Sequence, residues 1–269
     1  MWLPTRRSNP AGIATRLQNG IAPLVGVIVF FGIWELFVRV RHIKTVVLPR
    51  PSQIGATLVD DPGFFAHHAW VTGRTALIGL SLAFIVAIGV AVPMSQSRFV
   101  ERAVQPIATL IQVIPLVCYA PIFAVWLGFG TVRPIIAVTF VICLVPIIFG
   151  AAAGLRSADS ASTELLYTYG ATRRQVFRHV SLPSSLPYVL AGVRTSVGLA
   201  LVGAVLGEYI GASEGLGVQI SKAINGAGVR LGWAAAFTLG LMGGVALAVL
   251  TLVERRSLHW HASNRLQLD

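Results

Sequence analysis

Charged residues are scarce in this chain of 269 residues: they make up 12% of it, whereas hydrophobic residues make up 55%. Soluble domains carry about a quarter charged residues, so this chain cannot cover a globular surface with water-compatible groups. The composition therefore argues against a soluble enzyme. It also excludes a disordered chain, because disordered segments are poor in apolar residues and rich in charge. A bilayer is the solvent that suits such a sequence.

Cysteine and histidine are also sparse. The two cysteines, Cys118 and Cys143, both lie in apolar stretches, which excludes a disulfide framework and a CxxC motif. None of the six histidines lies within an apolar run, so the HExxH helix of an intramembrane metalloprotease is absent. We therefore predict no catalytic residue, no metal site and no cofactor in this chain.

The chain has two lysines, and nearly all of its basic residues are arginines in short segments between apolar runs. The net charge of +11 is then better explained by membrane orientation signals than by nucleic-acid binding. Six apolar runs are long enough to cross about 30 Å of hydrocarbon. We predict transmembrane helices over residues 20–38, 71–92, 104–129, 134–154, 188–211 and 233–253.

The first run follows three arginines but is too long for a signal peptide and lacks a small-residue cleavage site, so we interpret it as a retained helix. With six spans both termini lie on one side. That side would hold twelve Lys/Arg and the other side seven, so the positive-inside rule predicts cytoplasmic termini. The predicted divisions are a tail (1–19), the first helix with an external segment (20–66), a five-helix core (67–255) and a second tail (256–269).

The longest cytoplasmic loop, residues 156–187, has clear local signals. Asp159 or Ser160 can cap a helix that Gly170 ends, and Thr172 opens a second helix in a capping box with Gln175. We expect Leu182-Pro183 to stop that second helix. These local signals are compatible with two functions for the hairpin. It can lie on the membrane surface with its arginines on lipid phosphates, or it can be a docking element for another protein.

The same loop contains the pattern Glu164-Leu165-Leu166-x3-Gly170-x9-Val180-x-Leu182-Pro183. It resembles the EAA loop of the permease subunits of binding-protein-dependent ABC importers, with leucines in place of two alanines and valine in place of isoleucine. Resemblance extends over roughly residues 49–255 and includes the segment Glu208-Tyr209-Ile210-Gly211-Ala212-Ser213-Glu214-Gly215-Leu216-Gly217. This set of residues is similar to the branch that imports nitrate, sulfonates, taurine and related small molecules.

The resemblance implies an all-α integral membrane protein with the type I ABC importer permease fold, in a prokaryotic cytoplasmic (inner) membrane. The helix around Gly170 would be a coupling helix seated in a groove of a cytoplasmic ATPase, with Glu164 as the charged contact. Arg173 and Arg174 would be further contacts or lipid-facing cations. The coupling residues implied are Glu164, Leu165, Leu166, Gly170, Ala171, Arg173, Arg174, Val180, Leu182 and Pro183.

The partners implied by the resemblance are that ATPase, an external solute-binding protein and a second permease subunit, which we expect to complete a homodimer in the lipid bilayer. Neither lysine follows a glycine, so the chain has no P-loop, and ATP and Mg²⁺ would be bound by the ATPase.

Three residues are candidates for the translocation path: Gln112, Glu208 and Tyr209. An ionisable residue inside a span is a functional hypothesis by default. Glu208 either lines or gates the path or pairs with an arginine at the interface, and Gln112 either faces the path or bonds another helix. Prolines at 93, 115, 121 and 146 can each kink a span. Residues 215–228 can form a short amphipathic helix that lies on the interface or plugs the outer mouth.

The function predicted is therefore the permease subunit of an ABC importer, and the alternative is a stand-alone secondary transporter or channel. A small anion such as a sulfonate or nitrate is the first expectation for the solute, and an aromatic acid or pyrimidine precursor is the second.

Overall fold

The structure, a computed structural model, describes residues 11–257, and of residues 11–21, 23 and 227 the backbone alone. Residues 1–10 of the first predicted tail and 258–269 of the second lie outside this range, and residues 11–19 belong to α1. All regular structure in the described residues is helical. The helices are α1 (Ala11–Val40), α2 (Pro51–Asp60), α3 (Pro62–Gln96), α4 (Arg98–Val113), α5 (Leu116–Leu127), α6 (Arg133–Arg156), α7 (Ser160–Thr168), α8 (Arg173–Val176), α9 (Leu182–Gly211), α10 (Leu216–Lys222) and α11 (Val229–Ser257).

Four helical stretches in the described part of the chain are long and apolar enough to cross a membrane: Pro62–Gln96, Arg133–Arg156, Arg173–Gly211 and Val229–Ser257. They contain the second, fourth, fifth and sixth predicted spans. The first predicted span lies within α1. This helix packs against α11, where the ring of Phe31 contacts that of Phe237 and the ring of Trp34 contacts that of Trp233.

The third predicted span is not a single helix. Residues 104–129 fall on α4 and α5, which are bent by 97° at a short break. Pro115 causes the break, because it forces Ile114 into an extended conformation and has no N–H to donate. The hydroxyl of Tyr119 donates to the carbonyl oxygen of Ile111, 2.8 Å away, and so satisfies an acceptor near the break.

The proline at 183 does not stop a helix, contrary to the expectation from Leu182-Pro183. Residues 173–211 form one helical stretch, in which Phe177–Ser181 form a π-helical turn. The N–H of Leu182 donates to the carbonyl of Phe177, five residues back. This wider turn accommodates a proline that cannot donate, so the second helix of the cytoplasmic loop continues directly into the fifth predicted span.

The core lies where α3, α6 and α9 pack together. Small residues form the seam between α6 and α9, and the backbones come very close there. A Cβ atom at Gly207 would lie 2.7 Å from the Cα of Ile135, and one at Gly154 would lie 2.8 Å from the carbonyl oxygen of Ser185. Close backbone approach through small residues is how helices associate in lipid.

Candidate functional sites: the cytoplasmic hairpin and the outer polar network

The hairpin of residues 159–181, which the sequence predicts to be cytoplasmic and which is called the cytoplasmic hairpin below, is built by local caps, as the sequence indicates. The opposite end of the bundle is called its outer end. The carboxylate of Asp159 accepts from the N–H of Ser162 at 3.0 Å and caps α7. Hydrogen bonds from the hydroxyl and N–H of Ser162 and from the N–H of Ala161 lower the pKa of Asp159 below its ordinary value. The cap is therefore complete at neutral pH and is lost only as the pH falls through that lowered pKa.

The turn of the hairpin depends on Gly170, which has a φ of +78°. Its N–H donates to the carbonyl of Tyr167, and the N–H of Ala171 donates to that of Leu166, at 2.9 and 3.0 Å. This pair of bonds is a Schellman motif, in which the left-handed residue is usually glycine. Thr172 and Gln175 then form the predicted capping box of the next helix.

The exposed face of α7, together with the residue that follows the helix, carries apolar side chains outside the bundle. Leu165 is 57% exposed and Tyr169 is 81% exposed, and Glu164 beside them is exposed as well. The hairpin is anchored from the other side by Val176, which is buried. Exposed apolar patches of this kind mark sites of contact with another protein or with a membrane.

The remaining coupling candidates lie behind that tip. Arg173 and Arg174 are exposed and line a cleft of about 580 Å³ with Tyr167 of α7 and Gln96 at the end of α3. Val180 and Pro183 are half-buried where the hairpin joins α9, and Leu182 is exposed. The structure therefore brings the predicted coupling residues together in one hairpin but divides them between its tip and its base.

Gln112, the first path candidate, lies beside the α4–α5 break. It lines a pocket of about 260 Å³ with Tyr119 and residues of α6 and α9. No charged side chain occurs among the residues that line this pocket. The pocket can therefore accept a small uncharged group and offers it two polar side chains.

Glu208, the second path candidate, is 1% exposed. Its Oε2 accepts from the hydroxyl of Thr72 at 3.0 Å and from the N–H of Gly217 at 2.8 Å. Its Oε1 has no hydrogen-bond partner, and among the described residues no arginine pairs with this carboxylate. The acid thus ties α9 to α3 and α10 within the protein.

Tyr209, the third path candidate, is 44% exposed. It lines an outer pocket of about 360 Å³ that also contains Ser221, Lys222 and Asn225. Glu208 lines the same pocket. Two adjacent residues of α9 therefore line this pocket, and one of them, Glu208, is also hydrogen-bonded to α3 and α10.

His68, Thr72, Glu208 and Gln219, with the backbone of residues 215–217, form a hydrogen-bonded group that we call the outer network. The sequence did not indicate a role for two of its members, His68 and Thr72 on α3. Both are buried, as is their neighbour Gln219. His68 lies outside the predicted span of residues 71–92, and threonine is common in apolar helices. Their partners are 136 to 151 residues away in sequence, so no local pattern could have connected them.

Comparison with known proteins identifies the family. Residues 79–259 match the model of the binding-protein-dependent transport system inner membrane component. The chain belongs to this family. Its members are permease subunits of ABC transporters, integral to the membrane and distinct from the ATPase subunit. Membership confirms the resemblance to ABC importer permeases.

Named relatives extend the comparison over nearly the whole chain. The chain is 34% identical to the formylaminopyrimidine transport permease protein ThiX of Halalkalibacterium halodurans, over 91% of this chain and 98% of that protein. It is 30% identical to the riboflavin transport system permease protein RibX of Chloroflexus aurantiacus, over 97% and 98%. Identity to the taurine transport system permease protein TauC of Escherichia coli is 26%, over 87% of each.

A solved structure shares the fold of this permease. An inward-facing conformation of the MetNI methionine ABC transporter aligns with a TM-score of 0.63 and 19% identity, over 74% of this chain and 98% of the matched chain. This similarity shows an all-helical type I ABC permease fold. The family implies two kinds of partner, an ATPase and a substrate-binding protein.

Proposed function

We propose that this permease forms half of the translocation pathway of an ABC importer, as one of two identical subunits. The hairpin of α7 and α8 seats in a groove of the ATPase and transmits ATP-driven closure to the bundle. The observation that carries this proposal is the exposed apolar tip at Leu165 and Tyr169. The continuous helical stretch from Arg173 to Gly211 gives that motion a direct route to the outer end of α9.

Six spans with both termini in the cytoplasm are part of this proposal. The four long apolar helices, the α4–α5 pair and the apolar helix α1 supply the six crossings, with α4 and α5 acting as one bent crossing. An affinity tag after Asp269 is then expected to be cleaved by a protease added to the cytoplasmic side of membrane vesicles. Cleavage from the external side would overturn the topology.

The solute is a small molecule delivered by the external binding protein, and we propose a neutral nitrogen heterocycle of pyrimidine size. Two observations support this choice over a small anion. The pocket beside the α4–α5 break has no charged side chain among its lining residues. The relatives at 30% identity or more include permeases named for formylaminopyrimidine and riboflavin. Gln112 and Tyr119 would then supply the polar contacts to the solute.

This choice predicts opposite results for two labelled solutes. Deleting the gene for this permease in its native organism is expected to abolish uptake of formylaminopyrimidine and to leave uptake of taurine unchanged. Complementation with Gln112→Glu should restore less than about a tenth of the parent's uptake, because a charge in an apolar membrane site is costly. Gln112→Asn, which keeps the side-chain amide and adds no charge, serves as the matched control. Loss of taurine uptake alone would overturn the heterocycle and favour an anion.

A further inference from the structure

The short external helix α10 begins deep inside the protein, where its first N–H groups meet side chains of other helices. The N–H of Leu216 donates to the hydroxyl of Thr72 at 2.9 Å, and the N–H of Gly217 donates to Glu208 at 2.8 Å. Thr72 in turn donates to Glu208. Backbone N–H groups at a helix start have no partner within the helix, and here α3 and α9 supply partners for them.

His68 completes this arrangement from one turn before Thr72. Its Nδ1 accepts from the N–H of Gly215 at 3.2 Å, and its Nε2 lies 3.1 Å from the side-chain amide of Gln219. The atom of the Gln219 amide that lies beside His68 Nε2 is its nitrogen. His68 therefore accepts a hydrogen bond from the residue before α10 and contacts the side chain of Gln219 on α10.

Packing around these bonds is close at the start of α10. Leu216 is fully buried, and it belongs to an apolar cluster with Ile54 and Phe65. Gly215 has a φ of +122°, and a Cβ atom there would overlap the carboxylate of Glu208. A Cβ atom at Gly217 would lie 2.6 Å from the carbonyl oxygen of Val205. Displacing α10 would strand several buried polar groups at once, and each stranded group carries a large penalty.

We propose that His68, Thr72 and Glu208 are positioning residues that lock α10 to α3 and α9, so that these helices move as one body throughout the transport cycle. The external opening of the translocation pathway then opens and closes by movement of other helices. The helix α10 remains a fixed part of the wall of that opening. The α4–α5 pair is suited to be the moving side, since α4 and α5 have three buried residues between them whereas α3 alone has eleven. This inference rests on the proposed function, because it concerns the cycle of an ATP-driven importer.

A reversible crosslink tests the lock directly. His67 on α3 and Glu214 just before α10 are exposed, and their side chains lie 3.4 Å apart. In a variant with Cys118→Ser and Cys143→Ala, we would introduce His67→Cys and Glu214→Cys and join them with a short bifunctional thiol reagent. The crosslinked permease, purified with its ATPase, is expected to hydrolyse ATP within about twofold of the untreated sample. Each single cysteine variant treated with the reagent is the control.

A more than tenfold loss of ATP hydrolysis on crosslinking, recovered by reductant, would overturn the lock, because it would show that α10 must move. Absence of ATP hydrolysis in the untreated double variant and in the parent would instead count against the proposed function. Thr72→Val should lower the crosslinking yield several-fold, whereas Thr72→Ser keeps the hydroxyl and should restore it. Equal yields in Thr72→Val and the parent would also contradict the proposal.

Discussion

Replacing Gly170 by tryptophan is expected to release the ATPase from the purified permease and to abolish ATP-driven uptake, while the chain remains folded in the membrane. The residue has a φ of +78°, and a non-glycine residue in the left-handed conformation costs about 1–2 kcal/mol. That cost alone predicts roughly a five- to thirtyfold loss of ATPase affinity for Gly170→Ala. Tryptophan should lose more, because it also adds bulk at the tip that enters the ATPase groove. Retention of the ATPase is read from the stoichiometry of the complex after gel filtration.

Gly130 provides a matched control for this experiment. Its φ is +73°, and a Cβ atom there would meet nothing within 4 Å, as at Gly170. It lies in the loop between α5 and α6, close to the outer end of α9, since its N–H donates to the carbonyl of Gly211. Gly130→Trp should therefore keep the ATPase bound. Equal retention of the ATPase by Gly170→Trp and the parent would refute the coupling role of the hairpin.

Replacing Gly207 by leucine is expected to prevent the bundle from assembling. A Cβ atom at this position would lie 2.7 Å from the Cα of Ile135 on α6, and backbone cannot move aside as a side chain can. Overpacking a core costs about 1–3 kcal/mol where neighbours relax, and here the seam between α6 and α9 must separate. We expect the yield of monodisperse protein after detergent extraction to fall about tenfold.

Gly198, nine residues earlier on α9, is the internal control. A Cβ atom there would meet nothing within 4 Å, so Gly198→Leu should give the yield of the parent. The two substitutions make the same chemical change in the same helix, and they differ in whether another backbone is adjacent. Similar yields from both variants would show that the close α6–α9 approach is not required for folding.

Local signals account for the parts of this protein that its sequence predicts well. The cap at Asp159, the turn at Gly170 and the capping box at Thr172 each depend on residues within a few positions of one another. The caps and the turn of the hairpin were therefore predictable to within a residue or two, whereas the end of its second helix was not. Apolar runs likewise located most of the long helices, because a span needs about 20 apolar residues.

The parts that the sequence did not predict depend on distant contacts. Pro115 separates two helices, whereas Pro121 and Pro146 lie inside theirs. Pro183 is accommodated by a π-helical turn rather than by the end of a helix. The outer network joins residues of α3 to residues of α9 and α10 that are far away in sequence, so Glu208 could be recognised as unusual but its partners could not be named.

The most direct test of the central claim is to purify the permease gently from native membranes through a tag and to identify by mass the proteins that remain bound. The account predicts an ATPase subunit with a P-loop in complex with the parent chain, at two copies per permease dimer. Recovery of the permease without any ATPase, under detergents in which the bundle stays monodisperse, would contradict it. That result would favour a transporter that works without ATP.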